Sequence, residues 1–535
     1  MSYIPAIFNG CSGVTQEALK RYLGVEEPWP WQSRALEMSI DLANDHGSKT
    51  VITAPTGAGK SIIFLGLCRW AIENDKRVAI YCCRNLLVQQ LITGMQKGKL
   101  DFGVRAAQFR KYRKANAHVQ LCSLDTVYSS FKKDLHELPK ADIVIVDEAH
   151  QQKQAKASQV FQKHAESGAS LIGFTATPVD LSHLYDDLEA VCVNSDMRSK
   201  SLGYPAHVPA LIYGCPEMDT SKLKPLKTGE YSNRQVIKEV WTPQIFGHIV
   251  EHYKKLNPKQ KPALLFAPGV KESKWLCDML NRHDIAAAHI DGSDVYIDGE
   301  EYRSDPEKRE EVIDRLKSGD IKVICNRFVM REGVDIPELY HIILATPIGS
   351  LASYVQVVGR VLRNHPSIDK VIIQDHAGNF WRHGSPNQDR DWSEFFHMTS
   401  SQASESRKKE IQKGDVENPI VCPKCMMVRQ SGFKCPSCGY THTSNRRMVI
   451  QRNGQLISLD GPPIQKTKVE RRPDSERHWL RCYYRCRSSG RTFNQAYALF
   501  VNEQGYHPPR NLRMMPLSDI DWYERCERVD SNDLR

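Results

Sequence analysis

Between Thr50 and Thr177, five short apolar runs rich in β-branched residues alternate with stretches long enough to cross over a sheet: TVITA, RVAIYC, HVQLCS, DIVIVD and SLIGFT. Such runs have no polar alternation, so both faces of each strand must be buried. That requires helices packed on either side of a parallel sheet. A second set follows Pro262, namely ALLFA, AAAHI, IKVIC, HIILAT and KVIIQD, separated by helix-period segments such as DPEKREEVIDRLKSG. The pattern predicts an α/β chain with two doubly wound parallel-sheet domains in tandem. MRSKSLGYPAHVPALIYG and a Lys-rich stretch to about Gln235 would connect them. After DHAGNFWRHGSPNQDRDW the alternation stops, and TSSQASESRKKEIQKGDVENP reads as a linker or an exposed helix.

APTGAGKS, Ala54 to Ser61, stands between the first run and a helical stretch. A glycine-rich turn there can cradle phosphate, because free backbone N–H groups and the helix N-terminus both face the anion. Thr56, Gly57, Ala58 and Gly59 would form the cradle, Lys60 would reach the β- and γ-phosphates of ATP, and Ser61 would ligate Mg²⁺. Ala54 occupies the place of the pattern's usual first glycine. VIVDEAH closes a later strand with Asp147, Glu148 and His150. A carboxylate at a strand's C-terminal end can hold the Mg²⁺ shell, here Asp147, and its neighbour Glu148 can orient and deprotonate an attacking water.

Far downstream, VCPKCMMVRQSGFKCPSCGY spaces Cys422, Cys425, Cys435 and Cys438 as two C-x-x-C pairs. Two such turns supply four thiolates to one tetrahedral ion, which predicts a structural Zn²⁺ site with no open position; an iron–sulfur centre is the alternative. A ribbon of this size buries little core and would use the metal in its place.

In order along the chain, these motifs resemble those of the superfamily-two helicases with DEAD/DEAH-type boxes. The resemblance runs from about Trp29 to Arg363 and implies two RecA-like domains with ATP between them. It implies that Gln32, in PWPWQSRAL, reads the adenine edge, and that YCCRNLLVQQ and CSLDTV contact a nucleic-acid strand. FTATP resembles the motif in which Thr175 and Thr177 couple hydrolysis to domain movement, with His150 taking part. NRFVMREGVDIP resembles the fifth motif and implies roles near the nucleotide for Gly333 and Asp335; Asn326 and Arg327 stand where many relatives carry a small hydroxyl residue. YVQVVGRVLR resembles the sixth, with Gln356, Arg360 and Arg363. Arginines there can neutralise charge on a transferring phosphoryl group, an effect worth on the order of 10³-fold or more in rate. The order of motor, DHAGN string, cysteine pairs and basic tail is similar to RadD-like DNA-repair helicases and to phage and prophage helicases.

Net charge is +10, and from Ser401 to Arg535 there are 24 Lys and Arg against 15 Asp and Glu, so nearly all the surplus is C-terminal. That distribution favours a polyanion partner. In the same region RHWLRCYYRCRSSGRTFNQAYALF mixes Arg with Trp, Tyr and Phe, which suits either phosphate neutralisation with base stacking or a small helical core. TAT and DEAH in place of SAT and DEAD, and the lack of PTREL, favour DNA over RNA. A translocase that moves without separating strands and an RNA helicase are the other readings. The chain contains no run of about eighteen apolar residues, so no membrane span is expected. No export signal is evident either, so the expected compartment is the cytoplasm of a bacterial or phage-infected cell. The expected intervals are an N-terminal extension at 1–25, RecA-like domains at 26–200 and 201–400, a linker at 401–418, a zinc ribbon at 419–442 and a basic region at 443–535.

Overall fold

Every apolar run marked in the sequence becomes a strand. The computed structural model describes residues 14–441, apart from 84, 134–137, 200–204, 215–221, 240–242, 332–335, 414–418, 426, 430–431 and 433; beyond these it describes 451–452, 455–456, 478–479, 482–483 and 493–504. The first sheet comprises β1 (Lys49–Thr53), β2 (Val78–Cys82), β3 (Phe102–Arg105), β4 (Val119–Ser123), β5 (Ile143–Asp147), β6 (Ser170–Thr175) and β7 (Asp187–Ala190). Its order is β3-β4-β2-β5-β6-β1-β7, and every pairing is parallel. Helices Lys60–Glu73, Asn85–Lys97, Leu124–Lys132 and Ala155–Glu166 make the crossovers. The two edge strands escape a search for apolar runs because they are short and only partly buried.

The expected extension at 1–25 is part of this domain from residue 14 onward. Helix Gln16–Leu23 starts on a Thr15 side-chain cap and stops at Gly24, whose φ is 68°. It buries Leu19, Tyr22 and Leu23 in the core that also holds helix Lys60–Glu73, and Arg69 bonds the Tyr22 carbonyl.

The second sheet contains β8 (Ala210–Gly214), β9 (Ala263–Phe266), β10 (Ala287–Ile290), β11 (Asp294–Ile297), β12 (Glu300–Arg303), β13 (Val323–Asn326), β14 (His341–Leu344), β15 (Val371–Asp375), β16 (Ile420–Val421) and β17 (Met427–Arg429). The order is β12-β11-β10-β13-β9-β14-β15-β8-β17-β16. A parallel centre from β10 to β8 is flanked by antiparallel strands on both edges. β11 and β12 form a hairpin through Asp298 and Gly299, both at positive φ (55° and 82°). Asp-Gly between two strands is the hairpin signal that the sequence reading passes over.

Three expectations change here. ALIYG, placed in the connector, is β8, a strand parallel to β15. The expected linker contains helix Ser400–Lys413, whose Ala403 and Ser404 are buried and whose Ser404 Oγ bonds Ser400 O (2.8 Å) and Gly229 O (3.5 Å). The ribbon is not a free-standing fold: β17 pairs with β8, and Tyr213 and Ile372 pack with Cys422 and Cys435. An edge strand such as β8 presents unpaired backbone groups, and the ribbon covers them.

The segment after β15 returns to the first domain. Leu181 N donates to Phe396 O (3.0 Å), Phe396 is buried in the first domain's core, and Lys153 Nζ reaches Ser400 Oγ (2.7 Å). The interval 201–400 therefore ends on the first domain. Residues 444–535 form a separate unit in which Trp479, Cys482, Ala496 and Phe500 make a small core. Trp479 and Phe500 meet edge to face at 5.8 Å and are buried, so these two aromatics pack inward. Among the described residues, no helix is long and apolar enough to cross a membrane.

Candidate nucleotide site between the two domains

β1 runs into the loop 54–59 and then into helix Lys60–Glu73. The turn works because Gly57 and Gly59 take positive φ (89° and 79°), which side chains disfavour. Space also matters: a Cβ on Gly59 would lie 2.4 Å from Gln32 Nε2. Gln32 packs beneath the loop, accepting from Trp29 N (3.0 Å) and donating to Ala58 O (3.4 Å), while Trp31 Nε1 donates to the same carbonyl (3.1 Å). Ser61 is exposed in the first turn of the helix.

Lys60 Nζ pairs with Glu148 Oε1 at 3.1 Å. Glu148 is held at φ 47°, ψ 54°, an unusual conformation for a side-chain-bearing residue, and its N–H donates to Asp147 Oδ1 (3.0 Å). Burial pushes the Glu148 pKa up, but the charges of Lys60 and Arg360 and the Lys60 hydrogen bond outweigh it and hold the carboxyl below its ordinary value. Glu148 is thus an anion at neutral pH.

From Glu148 a hydrogen-bonded chain crosses the cleft. Gln356 of the second domain donates its amide to His150 Nε2 (2.8 Å), which leaves His150 Nδ1–H to donate to Thr175 Oγ1 (2.9 Å). Thr175 Oγ1 also accepts from Thr177 N (3.0 Å), and the Gln356 amide approaches Glu148 Oε2 (3.5 Å). Helix Leu351–Gly359 carries Gln356 and ends against the loop, where a Cβ on Gly359 would lie 2.8 Å from Thr56 Cβ. Arg360 follows and is buried. Arg363 lies beside Gly57, whose added Cβ would sit 3.8 Å from Arg363 Nε. The structure brings together Gln32, residues 56–61, Asp147, Glu148, His150, Thr175, Thr177, Gln356, Arg360 and Arg363. Gly333 and Asp335 lie outside the described residues.

One residue at this cleft is missing from the sequence reading. His207 Nε2 donates to Thr56 O (2.7 Å), and the ring is buried against Gly57 and near Arg363. Burial depresses its pKa to about 4, against the Thr56 hydrogen bond, so the ring is neutral. Backbone pairing explains its place: Val208 N donates to Leu362 O (2.9 Å) and Asn364 N to Ala206 O (3.0 Å), so residues 206–208 brace the segment that carries Arg363. A histidine in a stretch read as connector gave no signal. Asn326, at the position where many relatives have a hydroxyl residue, is buried and donates to Leu265 O (3.0 Å), tying β13 to β9.

The loop and carboxylates fit a Mg²⁺–nucleotide. The cradle is built from positive-φ glycines at a helix N-terminus, a lysine faces a carboxylate, and the Thr56 and Thr177 hydroxyls are buried without a hydrogen-bond partner among the described residues.

The four cysteines also converge. Their sulfurs all lie within 4.8 Å of one another, with Cys422–Cys438 and Cys425–Cys435 each at 3.6 Å. A tetrahedral Zn–S₄ centre with bonds of about 2.3 Å requires sulfurs about 3.8 Å apart, so the cage fits zinc. Arg429 of the ribbon is buried and donates to Gly432 O (3.2 Å).

Comparison with known proteins agrees with this geometry. Residues 26–180 match the family described as type III restriction enzyme, res subunit, and residues 245–365 match the helicase conserved C-terminal domain. A 51.5 kDa protein of a Lactococcus phage is 28% identical over 434 residues, covering 80% of this chain and 85% of the phage protein. "Putative helicase 22" of a Sulfolobus islandicus filamentous virus is 26% identical over 349 residues, covering 61% of this chain and 60% of its own length. A Saccharomyces cerevisiae protein named as an ATP-dependent helicase is 21% identical, and the chain spans 51% of it. Together the two family matches take in more than half of the chain, one on each parallel sheet. The chain belongs to the superfamily-two helicases, with paired RecA-like domains.

Proposed function

We propose that the chain couples ATP hydrolysis to movement along nucleic acid, with DNA the favoured track and DNA repair, recombination or replication the setting. In this reading Lys60 holds the β- and γ-phosphates, Gln32 reads the adenine edge, and Ser61 and Asp147 hold Mg²⁺. Bound there, Mg²⁺ would supply charge neutralisation on the phosphate oxygens. Glu148, an anion beside Lys60, takes the proton of the attacking water. Arg360 and Arg363 stabilise negative charge as the γ-phosphoryl group transfers. Gly333 and Asp335 complete the second domain's face. The zinc of the ribbon has a structural role.

The observation that carries this reading is the chain Lys60–Glu148–Gln356–His150, with its branch through Thr175 and Thr177. Its members come from both domains, so a change in charge at the phosphate end alters a bond that holds the domains together. That is the physical requirement for turning hydrolysis into domain movement.

The test is the ATPase rate of the whole chain with single-stranded, duplex and forked DNA and with RNA, beside strand-displacement and triplex-displacement assays. DNA should stimulate hydrolysis more than RNA. Stimulation by RNA alone would overturn the choice of track, and triplex displacement without strand separation would mark a translocase.

A further inference from the structure

Helix Leu351–Gly359, which carries Gln356 to the cleft, is also held at its other end. Ser350 caps its first turn by accepting from Ser353 N (3.4 Å). Just before the cap, Glu230 Oε2 accepts from Gly349 N (3.3 Å) and Ser350 N (3.5 Å). The backbones touch as well. A Cβ on Gly349 would collide with Gly229 O, and a Cβ on Gly229 would lie 2.7 Å from Ser400 O. The start of helix Ser400–Lys413, the turn at 229–230 and the turn at 349–350 therefore form one close-packed stack.

Lys153 fastens that stack to the first domain. It stands in the loop between the turn Ala149–Gln151 and helix Ala155–Glu166, shortly after Glu148. An ammonium group offers three protons, and here each has an acceptor: Ser400 Oγ (2.7 Å), Asp180 Oδ2 (3.0 Å) and Val179 O (3.3 Å). Val179 N in turn donates to Thr177 O (2.8 Å), and Asp180 N to Phe395 O (3.2 Å). One side chain thus joins the loop behind the DEAH string, the exit of the FTATP string and the first residue of helix Ser400–Lys413. The helix that leads into Arg360 and Arg363 is tied to the first domain twice, through Gln356 at the cleft and through Lys153 at the far end.

We propose that Lys153 is a positioning residue for the arginine segment. The inference rests on the ATP-hydrolysing motor read above. A helix held at one point can turn about it, whereas a second anchor fixes its angle and so the reach of the guanidinium groups that follow it. Groups that stabilise a transition state lose effect when they are slightly misplaced, so the anchor acts on rate. Nucleotide binding stands apart from it, because the loop 54–59, Lys60 and Gln32 belong to the first domain. The Lys153–Asp180 pair is partly exposed, with side chains 23% and 33% accessible, so by itself it adds little to stability.

Water can replace the ammonium at this site, so Lys153→Met, which keeps the stem and removes the charge, should fold. The measurement is steady-state ATPase of the full chain with single-stranded DNA, beside hydrogen exchange of the same protein. Lys153→Met should lower kcat on the order of 10-fold with KM for ATP held within about two-fold, and Lys153→Arg should recover most of the rate. Added to Arg363→Ala, Lys153→Met should cause no further loss, because the two changes act through one group. Amides at 349–355 should exchange faster in Lys153→Met, while those of β5 hold. Unchanged kcat, a full further loss on top of Arg363→Ala, or unchanged exchange at 349–355 would each overturn the anchor. If the wild type hydrolyses no ATP, the motor reading fails instead, and exchange at 349–355 still decides whether Lys153 holds the helix.

Discussion

Asp375 closes β15 in full burial and still gathers three donors: Ala377 N (3.1 Å) and Asn379 Nδ2 (3.0 Å) on Oδ1, and Phe380 N (2.8 Å) on Oδ2. Asn379 then bonds Thr346 O (3.1 Å) and Ile348 N (2.7 Å), and His383 donates to Ile348 O (2.7 Å). The DHAGN string therefore pins the turn that leads into helix Leu351–Gly359, which carries Gln356 toward the cleft. It is a brace for the motor rather than a reacting group. Asp375→Ala would leave these donors unsatisfied, each costing about 1–3 kcal/mol, so a urea titration should show stability falling by several kcal/mol and kcat falling with it; unchanged stability would refute the brace. Arg363→Ala should instead act on chemistry, lowering kcat by at least ~10²-fold with nucleotide affinity held within a few-fold. A rise in KM alone would assign Arg363 to ground-state binding. The string was visible in the sequence, but its role was not, because its partners at 346–348 are some thirty residues away in the chain and meet it only across the sheet.

Among the elements, β8 has the widest consequences. Its N-terminal lead-in holds His207 on Thr56 and braces the Arg363 segment, while its outer edge pairs with β17 of the cysteine ribbon. Tyr213 OH also meets Ser437 Oγ at 2.7 Å. Cys435→Ser should release zinc, because three thiolates hold it far more weakly than four. With β17 loosened, hydrogen exchange should rise first at residues 210–214, and the thermal midpoint of the whole chain should fall by a few degrees. Zinc loss with unchanged exchange at β8 would show that the ribbon is merely attached there. Cysteine spacing alone points to the four-thiol cage. It says nothing about which sheet edge receives the ribbon, since ALIYG is a five-residue run without flanking periodicity and pairs with strands over 150 residues later. By contrast, the phosphate loop, the carboxylate pair and the arginine segment were legible because their chemistry is packed into short strings at strand ends. His207 was not, because its role exists only when two distant backbone segments pair.

At the scale of the whole molecule, three buried histidines set the acid limit. Burial depresses His164 and His207 to about 4 and His341 to about 3, from an ordinary value of 6.5. As pH falls through the window from 6.5 toward 4, the unfolded chain takes up protons that the folded chain refuses. Stability is therefore lost on acidification, by up to about 1.4 kcal/mol per pH unit for each histidine. Asp375, raised by burial, opposes this at the acid end. The thermal midpoint should drop steadily between pH 7 and pH 5; a flat profile would mean that these rings protonate in place. The central claim, that both domains join in hydrolysing ATP around Glu148, has a more direct test. Glu148→Gln keeps Ser61 and Asp147 for Mg²⁺ and removes the base, so single-stranded DNA titrations of ATPase should show nucleotide binding retained and turnover at least ~10²-fold below wild type at every DNA concentration. Hydrolysis by Glu148→Gln at the wild-type rate would contradict the account.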